Sequence, residues 1–473
     1  MTVQTEQPIL CRPHIRPAGG QVELSALMRI IAGKHGPAIL GGNPSVRGVS
    51  IFAAEPVEVF EFHLSENEPF EKLGRVLSRY RTPDDTHLPA GVFSGGWIGF
   101  FGYELGRFIE TLPQQATDDI DLPVIRLGFY DKAILYDHQR DTFSFVAVDM
   151  QGRPVEQKFT ALADWFARAK QHPDSTESTD VPAVQGDVPD VGANMSQEQY
   201  FDALAQIHRH ITDGDVYQIN LSRRFSMPFF AGAAELFGLL NRNNPSPYAA
   251  YLAWGKSAVV SASPELFLEA RGDRIRTCPI KGTRPRNGAL PDEAPANRAQ
   301  FNTLVQSEKD QAELAMIVDL LRNDLAQVCV PGSRYVSCAR RIEAFPTVYH
   351  AVATIEGTLA APPGPQRVEA LLRATFPGGS ITGAPKISAM EIIDALEPTA
   401  RSVYTGAIGW IGLNFDLCLN IAIRTVLIRS GTAYVQTGGG IVADSDPQAE
   451  WDETLTKADA LLACIQQSGK QLP

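Results

Sequence analysis

The chain has 473 residues, of which 44% are hydrophobic and 20% charged, a composition typical of a soluble globular protein. Its formal net charge of −12 argues against a nucleic-acid partner. No apolar run approaches the roughly 18 residues that a membrane span needs, and residues 1–18 lack an apolar signal core. We therefore expect a cytoplasmic protein with no membrane partner.

The composition of the chain divides it into four parts. Residues 1–170 alternate short apolar runs with turns, which predicts a β-rich region, with its clearest helix near residues 158–171. Residues 171–195 are rich in Pro, Asp, Ser, Thr and Gly, which predicts a linker because such a segment buries too little apolar surface to fold. Residues 196–466 carry the motifs described below and are predicted to form the catalytic core, and residues 467–473 form a tail.

The core begins with a predicted helix and strand. Ser196 and Gln199 form a capping-box pattern, and apolar residues follow at helical spacing. Residues 216–222 then alternate apolar and polar side chains, which predicts a strand with Gln218 on its polar face.

The most unusual stretch is Cys278-Pro279-Ile280-Lys281-Gly282-Thr283, in which a lone lysine stands between an apolar run and a glycine. In most proteins such a lysine would reach to solvent from a strand end while its stem packs on apolar surface. The alternative is a lysine with a chemical role, and the neighbouring motifs favour that alternative.

An acid is predicted close to this lysine. The residues before Lys281 predict two strands around a two-residue Gly-Asp turn, with the lysine at the end of the second strand. Pairing Arg271 with Arg274 and counting back places Ile280 opposite Glu265. Glu265 and Lys281 reach one ligand only if a neighbouring proline or a β-bulge re-aims one of them.

Two pairs of acids have helical spacing. Asp310 and Glu313 are three residues apart, as are Glu450 and Glu453, so each pair shares one helical face. Carboxylates without histidine or cysteine suit Mg²⁺, whereas either pair alone would more often be a solvated surface. Just before the second pair, Gly438-Gly439-Gly440 lets backbone N–H groups approach an anion closely.

Several of these stretches resemble the chorismate-utilising enzymes. The resemblance lies in Ser263-Pro264-Glu265-Leu266-Phe267 with the lysine motif, in residues 377–386 (PGGSITGAPK) and in residues 404–410 (YTGAIGW). It covers about residues 195–466 with high specificity and the N-terminal part weakly.

The lysine distinguishes between branches of this family. Anthranilate synthase large subunits usually carry alanine where this chain has Lys281, whereas aminodeoxychorismate synthases carry a lysine nucleophile there. The resemblance therefore implies amination of chorismate at C4 on the way to p-aminobenzoate and folate, with an anthranilate synthase as the alternative. Relatives that add water carry a lysine base where this chain has Gln218, and a glutamine cannot act as that base. A catalytically inactive regulatory subunit is the alternative outside enzymes.

The resemblance also implies roles for individual residues. Lys281 would be the nucleophile and Glu265 the acid that protonates the departing hydroxyl. The implied Mg²⁺ ligands are Glu313 and Glu453, with Asp310 and Glu450 acting directly or through water. The implied substrate-side residues are Arg424, Tyr404, Thr382, His350, Gly438, Gly439, Gly440 and Gln218.

The implied fold is α+β, a two-layer antiparallel β-sheet sandwich with helices on the outside. The six cysteines have no spacing that predicts a zinc site or a disulfide framework, and none stands in a Gly-x-Cys-x-Gly elbow. Since a glutaminase needs such a nucleophile, we expect ammonia to come from a separate glutaminase subunit.

Overall fold

A computed structural model describes residues 7–43, 48–150, 154–172 and 191–469. The α-helices are α1 (Leu24–Ala32), α2 (Pro69–Ser78), α3 (Val155–Gln171), α4 (Gln197–Asp213), α5 (Ala233–Asn243), α6 (Pro295–Gln306), α7 (Glu308–Ala326), α8 (Pro365–Thr375), α9 (Lys386–Leu396) and α10 (Pro447–Gly469). Short 3₁₀ turns cover Tyr103–Phe108 and Gly379–Ile381. Within these ranges no helix combines the length and apolar character that crossing a bilayer requires.

The strands follow the chain from the N-terminal region to the end of the core. They are β1 (Ile9–Pro17), β2 (Ala38–Leu40), β3 (Val49–Ala53), β4 (Glu58–Phe62), β5 (Tyr80–Arg81), β6 (Gly96–Phe101), β7 (Ile125–Tyr130), β8 (Lys132–Asp137), β9 (Thr142–Met150), β10 (Gly192–Ala193), β11 (Gln218–Pro228), β12 (Tyr248–Trp254), β13 (Ser257–Ser263), β14 (Leu266–Arg271), β15 (Arg274–Cys278), β16 (Ile280–Pro285), β17 (Tyr335–Ala344), β18 (Val348–Thr358), β19 (Gly383–Ala384), β20 (Ala407–Gly412), β21 (Leu417–Ile421), β22 (Thr425–Arg429) and β23 (Thr432–Ile441).

These strands form two large sheets. The first has thirteen strands in the order β10-β11-β23-β22-β13-β12-β2-β3-β8-β9-β1-β5, with β19 paired to β11. The second has ten strands in the order β16-β18-β15-β14-β21-β20-β6-β7-β4, with β17 paired to β18. Among the described strand pairs, β1 and β5 run parallel and the larger ladders, such as β11 with β23 and β20 with β6, run antiparallel.

The two sheets pack face to face. Ile98 and Trp410 of the ten-stranded sheet meet Leu252 and Val259 of the thirteen-stranded sheet in one buried cluster. Helices α1, α3, α5 and α10 bury their apolar faces on the other side of the thirteen-stranded sheet. Helices α2, α7 and α8 belong to the cluster that covers the ten-stranded sheet. The predicted α+β sandwich with outer helices is therefore confirmed.

Local sequence signals fix the ends of the helices near the site. The Ser196 side chain accepts from the Gln199 amide at 3.2 Å, and the Gln199 side chain accepts from the Ser196 amide at 2.8 Å. This reciprocal cap begins α4, and Gly214, at φ 84°, ends it. Asp446 accepts from the Ala449 amide at 2.9 Å and caps the start of α10 in the same manner.

The N-terminal region contributes strands to both sheets. Strands β1, β2, β3, β5, β8 and β9 lie in the thirteen-stranded sheet, and β4, β6 and β7 lie in the ten-stranded sheet. The helix predicted near residues 158–171 is α3. Most of the predicted linker, residues 173–190, lies outside the described residues, and the division at residues 171–195 stays a prediction.

The hairpin before the lysine departs from simple counting. Strands β14 and β15 turn where predicted, but a β-bulge after Leu266 sets this residue opposite Cys278. The register has thus moved by one residue, and the predicted pairing of Ile280 with Glu265 is wrong. A neighbouring proline or a β-bulge was expected to reorient Glu265 or Lys281, and the structure contains the bulge.

Lys281 lies in a third strand. Strand β15 ends at Cys278, and Lys281 is the second residue of β16, which pairs with β18. The prediction that Lys281 ends the second strand is wrong because Pro279 intervenes, has no N–H for the ladder and only accepts from Ala353 through its carbonyl.

Candidate active site

Lys281 is held by residues from two other elements. Its Nζ lies 2.7 Å from Oε1 of Glu313 on α7. The same oxygen accepts a hydrogen bond of 2.7 Å from Nε2 of Gln218 at the start of β11. The side chains of Lys281 and Glu313 are only 12% and 17% exposed, so this ion pair is mostly shielded from solvent. The structure thus joins three of the predicted site residues directly.

The charge of Glu313 follows from these contacts. Burial raises the pKa of this carboxyl group, but the charge and hydrogen bond of Lys281 and the hydrogen bond of Gln218 outweigh it, so that the pKa is lowered. Glu313 is therefore a carboxylate at neutral pH. A negative charge in this place holds the lysine amine and is equally suited to a metal cation.

Glu265 lies in a buried position beside Lys281. Its Oε1 accepts a hydrogen bond of 2.6 Å from the Ser380 hydroxyl. Burial raises the pKa of Glu265 to about 7, against the opposing effects of Ser380, the Lys281 charge and the Ile280 amide. A carboxyl group that titrates near neutral pH is suited to donate a proton.

His350 is buried on β18 next to the lysine strand. Its Nδ1 lies 2.8 Å from the Thr283 hydroxyl, and its Nε2 has no hydrogen-bond partner among the described residues. Burial, followed by the positive charge of Arg424, lowers the pKa of His350 to about 3. The imidazole is therefore neutral and has one free nitrogen.

Arg424 carries an uncompensated charge. Its side chain forms no hydrogen bond or ion pair with any described residue, and burial lowers its pKa. Its backbone is in the left-handed region at φ 50°, which costs free energy for a residue other than glycine. A strained, largely buried arginine without an acid partner is suited to bind an anion, and its planar fork fits a carboxylate.

The glycine run on β23 keeps space beside two carboxylates. Gly440 lies opposite Asn220 on β11, and a Cβ added to it would crowd Gln218 and lie 3.0 Å from Oε1 of Glu313. A Cβ on Gly439 would lie 2.7 Å from Oε2 of Glu450. A side chain at either position would displace these polar groups, so the glycines keep room for them, and the role of the run in binding an anion stays a prediction.

The four predicted metal ligands do not meet at one point. Glu453 pairs with Lys457 at 2.7 Å, and Asp310 pairs with Arg284 at 2.9 Å. Among the described residues, no three His, Cys, Asp or Glu side chains form a group that could hold a metal ion.

The donor chemistry nevertheless fits a hard cation. Glu450 accepts from Ser445 at 2.7 Å through Oε1, while its Oε2 is buried without a partner. Burial raises the pKa of Glu450, so a nearby cation would stabilise its charged form. Glu313 and Glu453 each hold one lysine, which a cation would replace. All four candidates offer carboxylate oxygens, the ligands that Mg²⁺ prefers.

The two remaining substrate-side predictions differ in their surroundings. Thr382 is fully buried, and its hydroxyl donates to the Gly378 carbonyl at 3.1 Å, which makes it part of the scaffold. Tyr404 is also buried, and burial raises the pKa of its phenol, so it remains a hydrogen-bond donor. Both residues thus stay predictions as substrate contacts, and the hydroxyl of Thr382 is already in use.

Two contacts at the site were not predicted. Ser380 stands within the PGGSITGAPK stretch, but nothing in the sequence pattern connects it with Glu265. Arg401 and Glu397 form a buried ion pair with 2.6 Å between charged atoms, and the Arg401 guanidinium also donates to the Asn220 carbonyl at 2.6 Å and so braces β11. The only local signal was the separation of four residues, although Glu397 follows the end of α9 and the pair does not lie on a helix.

Known proteins are similar to this chain in sequence and architecture. A family model described as chorismate binding enzyme matches residues 45–463. Aminodeoxychorismate synthase component 1 of Escherichia coli (strain K12) is 38% identical over 410 residues, which cover 84% of this chain and 82% of that relative. Anthranilate synthase component 1 of Streptomyces coelicolor is 39% identical over 408 residues, or 85% and 78% of the two chains. The crystal structure of anthranilate synthase component I from Streptococcus pneumoniae TIGR4 superposes with a TM-score of 0.75 at 28% identity, covering 88% of this chain and 92% of that one.

Proposed function

The chain belongs to the family of chorismate binding enzymes, and from this premise we propose that it is component 1 of an aminodeoxychorismate synthase. It would aminate chorismate at C4 to give 4-amino-4-deoxychorismate, a precursor of p-aminobenzoate and folate. The observation that carries this proposal is the position of Lys281, which is shielded from solvent and forms an ion pair with Glu313. It lies next to Glu265, a carboxyl group whose pKa is raised to about 7. An anthranilate synthase is the second candidate, supported by relatives of similar identity, and Lys281 argues against it.

The proposed first step uses the lysine and the acid together. Lys281, as a neutral amine, forms a bond from Nζ to C2 of chorismate, and the ring double bonds shift toward C4. The C4–O bond breaks, and Glu265 gives its proton to the departing hydroxyl, which leaves as water. Lys281 must first leave Glu313 and release a proton to solvent water, because a protonated amine has no electron pair to donate.

The proposed second step restores the enzyme. Ammonia forms a bond to C4, the double bonds shift back, and the bond between C2 and Lys281 breaks. The proton that ammonia loses returns to the Glu265 carboxylate. Chorismate and ammonia thus give the aminated product and one water, with the lysine and the acid regenerated.

Charged groups of the site fit the two carboxylates of chorismate. Arg424 has no acid partner among the described residues and would bind the enolpyruvyl carboxylate, with the free Nε2 of His350 near it. By resemblance, the Tyr404 phenol would hydrogen-bond the same group. Glu313 and Glu453 would hold Mg²⁺, with Asp310 and Glu450 acting directly or through water. When bound, this ion supplies positive charge that fixes the ring carboxylate.

Product analysis tests the proposal directly. The purified chain is incubated with chorismate, Mg²⁺ and ammonium, and the products are separated and identified by mass spectrometry. We expect 4-amino-4-deoxychorismate. Anthranilate as the product would establish the second candidate, and complete recovery of chorismate would establish an inactive regulatory subunit.

The nitrogen source gives a further prediction. With ammonium the chain alone is expected to turn over, whereas with glutamine it is expected to be inactive until a glutaminase subunit is added, because its cysteines lack the glutaminase elbow. Chorismate consumption is followed with each nitrogen source. Glutamine-dependent turnover by this chain alone would contradict the assignment of ammonia supply to a partner.

The metal ligands are tested by neutral substitutions. Glu313→Gln and Glu453→Gln are each expected to abolish magnesium-dependent turnover, because removing one charge weakens an oxygen-only site for a cation that sheds water reluctantly. Titration calorimetry of Mg²⁺ in the presence of chorismate measures the loss of binding itself. Asp319→Asn, an exposed acid on the same helix α7, is the matched control and should bind Mg²⁺ normally. Unchanged Mg²⁺ binding in both Gln variants would remove the metal assignment.

A further inference from the structure

We propose that Ser380 is a positioning residue for Glu265, whose hydroxyl orients the acid and stabilises the carboxylate left after proton transfer. This inference rests on the proposed function. Ser380 and Glu265 are both buried, and the Ser380 hydroxyl lies 2.6 Å from Oε1 of the acid. A hydrogen bond to an ionised group is worth about twice a neutral one.

The geometry around this contact is built by the fold. The 3₁₀ turn that contains Ser380 packs against α7, and a Cβ on Gly379 would lie 2.5 Å from Cδ2 of Leu320. Glu265 is fixed from the other side, because its carbonyl accepts from the Ile421 amide at 3.0 Å. Donor and acceptor are thus each anchored by backbone, and their contact does not depend on a flexible segment.

The charge balance at Glu265 changes during the proposed reaction. Among the described residues, three groups favour its charged form: the Ser380 hydroxyl, the Lys281 amine and the Ile280 amide. Lys281 must be neutral when it attacks, so its charge does not support Glu265 at the start of the step, and the new bond to C2 then makes its nitrogen a secondary ammonium ion. The Ser380 hydroxyl and the Ile280 amide are therefore the two of these groups that support the carboxylate, which burial destabilises, throughout the proton transfer.

The experiment compares Ser380→Ala with Ser380→Thr, which keeps a hydroxyl. The kcat of Ser380→Ala for chorismate consumption is expected to fall roughly 10- to 100-fold, the range that a hydrogen bond to a charged group is worth. The KM for chorismate should change little, because Arg424 still binds the substrate. Ser380→Thr should recover most of the rate.

The pH profile separates this role from a merely structural one. Glu265 must be protonated to act, so activity at constant free ammonia falls as pH rises through its pKa. Without the Ser380 hydrogen bond, which favours the charged form, the pKa rises, and the alkaline limb of kcat/KM should move to higher pH. Ser246→Ala is the control. The buried Ser246 hydroxyl donates to the Ala262 carbonyl at 2.7 Å and makes no hydrogen bond to Glu265. A slower Ser380→Ala enzyme with an unmoved limb would overturn the proposal.

A direct titration makes the result independent of turnover. Infrared difference spectra, with Glu265→Gln as the reference that removes the band, follow protonation of Glu265 in the full chain. A titration that moves upward in Ser380→Ala supports the contact, and an unmoved titration overturns it. If the native chain consumes no chorismate, the proposed function fails, while the infrared result still decides whether Ser380 controls the acid.

Discussion

Lys281→Ala is expected to lose nearly all ammonia-dependent turnover while still binding chorismate. General acid–base help alone would be worth roughly 10²–10⁴-fold, and a covalent role sets the loss at that level or above. Binding should persist because Arg424 and the glycine run on β23 are unchanged. The variant also frees Glu313 of its lysine, so Mg²⁺ affinity should not fall.

The covalent step leaves a mass that can be measured. With ammonia withheld, the native chain should accumulate an adduct on Lys281 equal to chorismate less one water, located by peptide mass spectrometry. Lys309→Ala is the matched control, because it removes an exposed lysine of α7 whose charge also acts on Glu313. The control should keep both the adduct and the rate.

The opposite outcome has a clear meaning. If Lys281→Ala retains nearly full rate and the native chain forms no adduct under any condition, Lys281 serves only to hold Glu313. The residue that distinguishes the two branches would then have lost its chemical significance, and the anthranilate interpretation would be open again.

Sequence patterns were sufficient for several local elements of this fold. The capping box at Ser196, the helical spacing in α3 and the alternation before Ser222 each depend on neighbours within a few residues, and each is confirmed. The packing of the two sheets came from the resemblance, since the strands of the N-terminal region pair with strands far along the chain. Strand β6, for example, pairs with β20.

The register near the lysine required tertiary information. The bulge after Leu266 is matched by an irregularity between β14 and β21, so it is set jointly by neighbours on both sides. Counting along one hairpin treats the ladder as regular and cannot detect such an insertion. The bulge moved the register by one residue and Pro279 placed Lys281 in another strand, yet the charge of Lys281 still acts on Glu265.

Contacts between distant residues were the least predictable part of the site. Ser380 and Glu265 are 115 residues apart, and no local pattern relates them. Helical spacing placed Asp310 with Glu313 and Glu450 with Glu453, but it states nothing about how two helices approach each other. The structure puts Arg284 on Asp310, a contact recognisable only after folding, whereas Lys457 on Glu453 has the i, i+4 spacing of one helix.

Glu265→Gln is expected to lower the rate of adduct formation by roughly 10²–10⁴-fold, the range that general acid catalysis contributes. The amide keeps the shape of the side chain but has no acidic proton for the departing hydroxyl. In the native chain this rate should fall as pH rises through about 7, where Glu265 ionises. Adduct formation with ammonia withheld is the appropriate measurement, because the supply of free ammonia itself changes with pH.

A second buried acid provides the matched control. Burial also raises the pKa of Glu104 to about 7, yet this residue accepts from the Arg401 amide and touches none of the groups proposed to react. Glu104→Gln should therefore keep the alkaline limb that Glu265→Gln removes. The pKa of each carboxyl is higher in the folded chain than in the unfolded chain, so the free energy of unfolding decreases as pH rises through about 7. Each Gln variant lacks one of these titrations. Its melting temperature should therefore increase with pH relative to that of the native chain. If both variants show that thermal signature and Glu265→Gln still forms the adduct at the native rate, Glu265 is a buried acid that takes no part in the proton transfer.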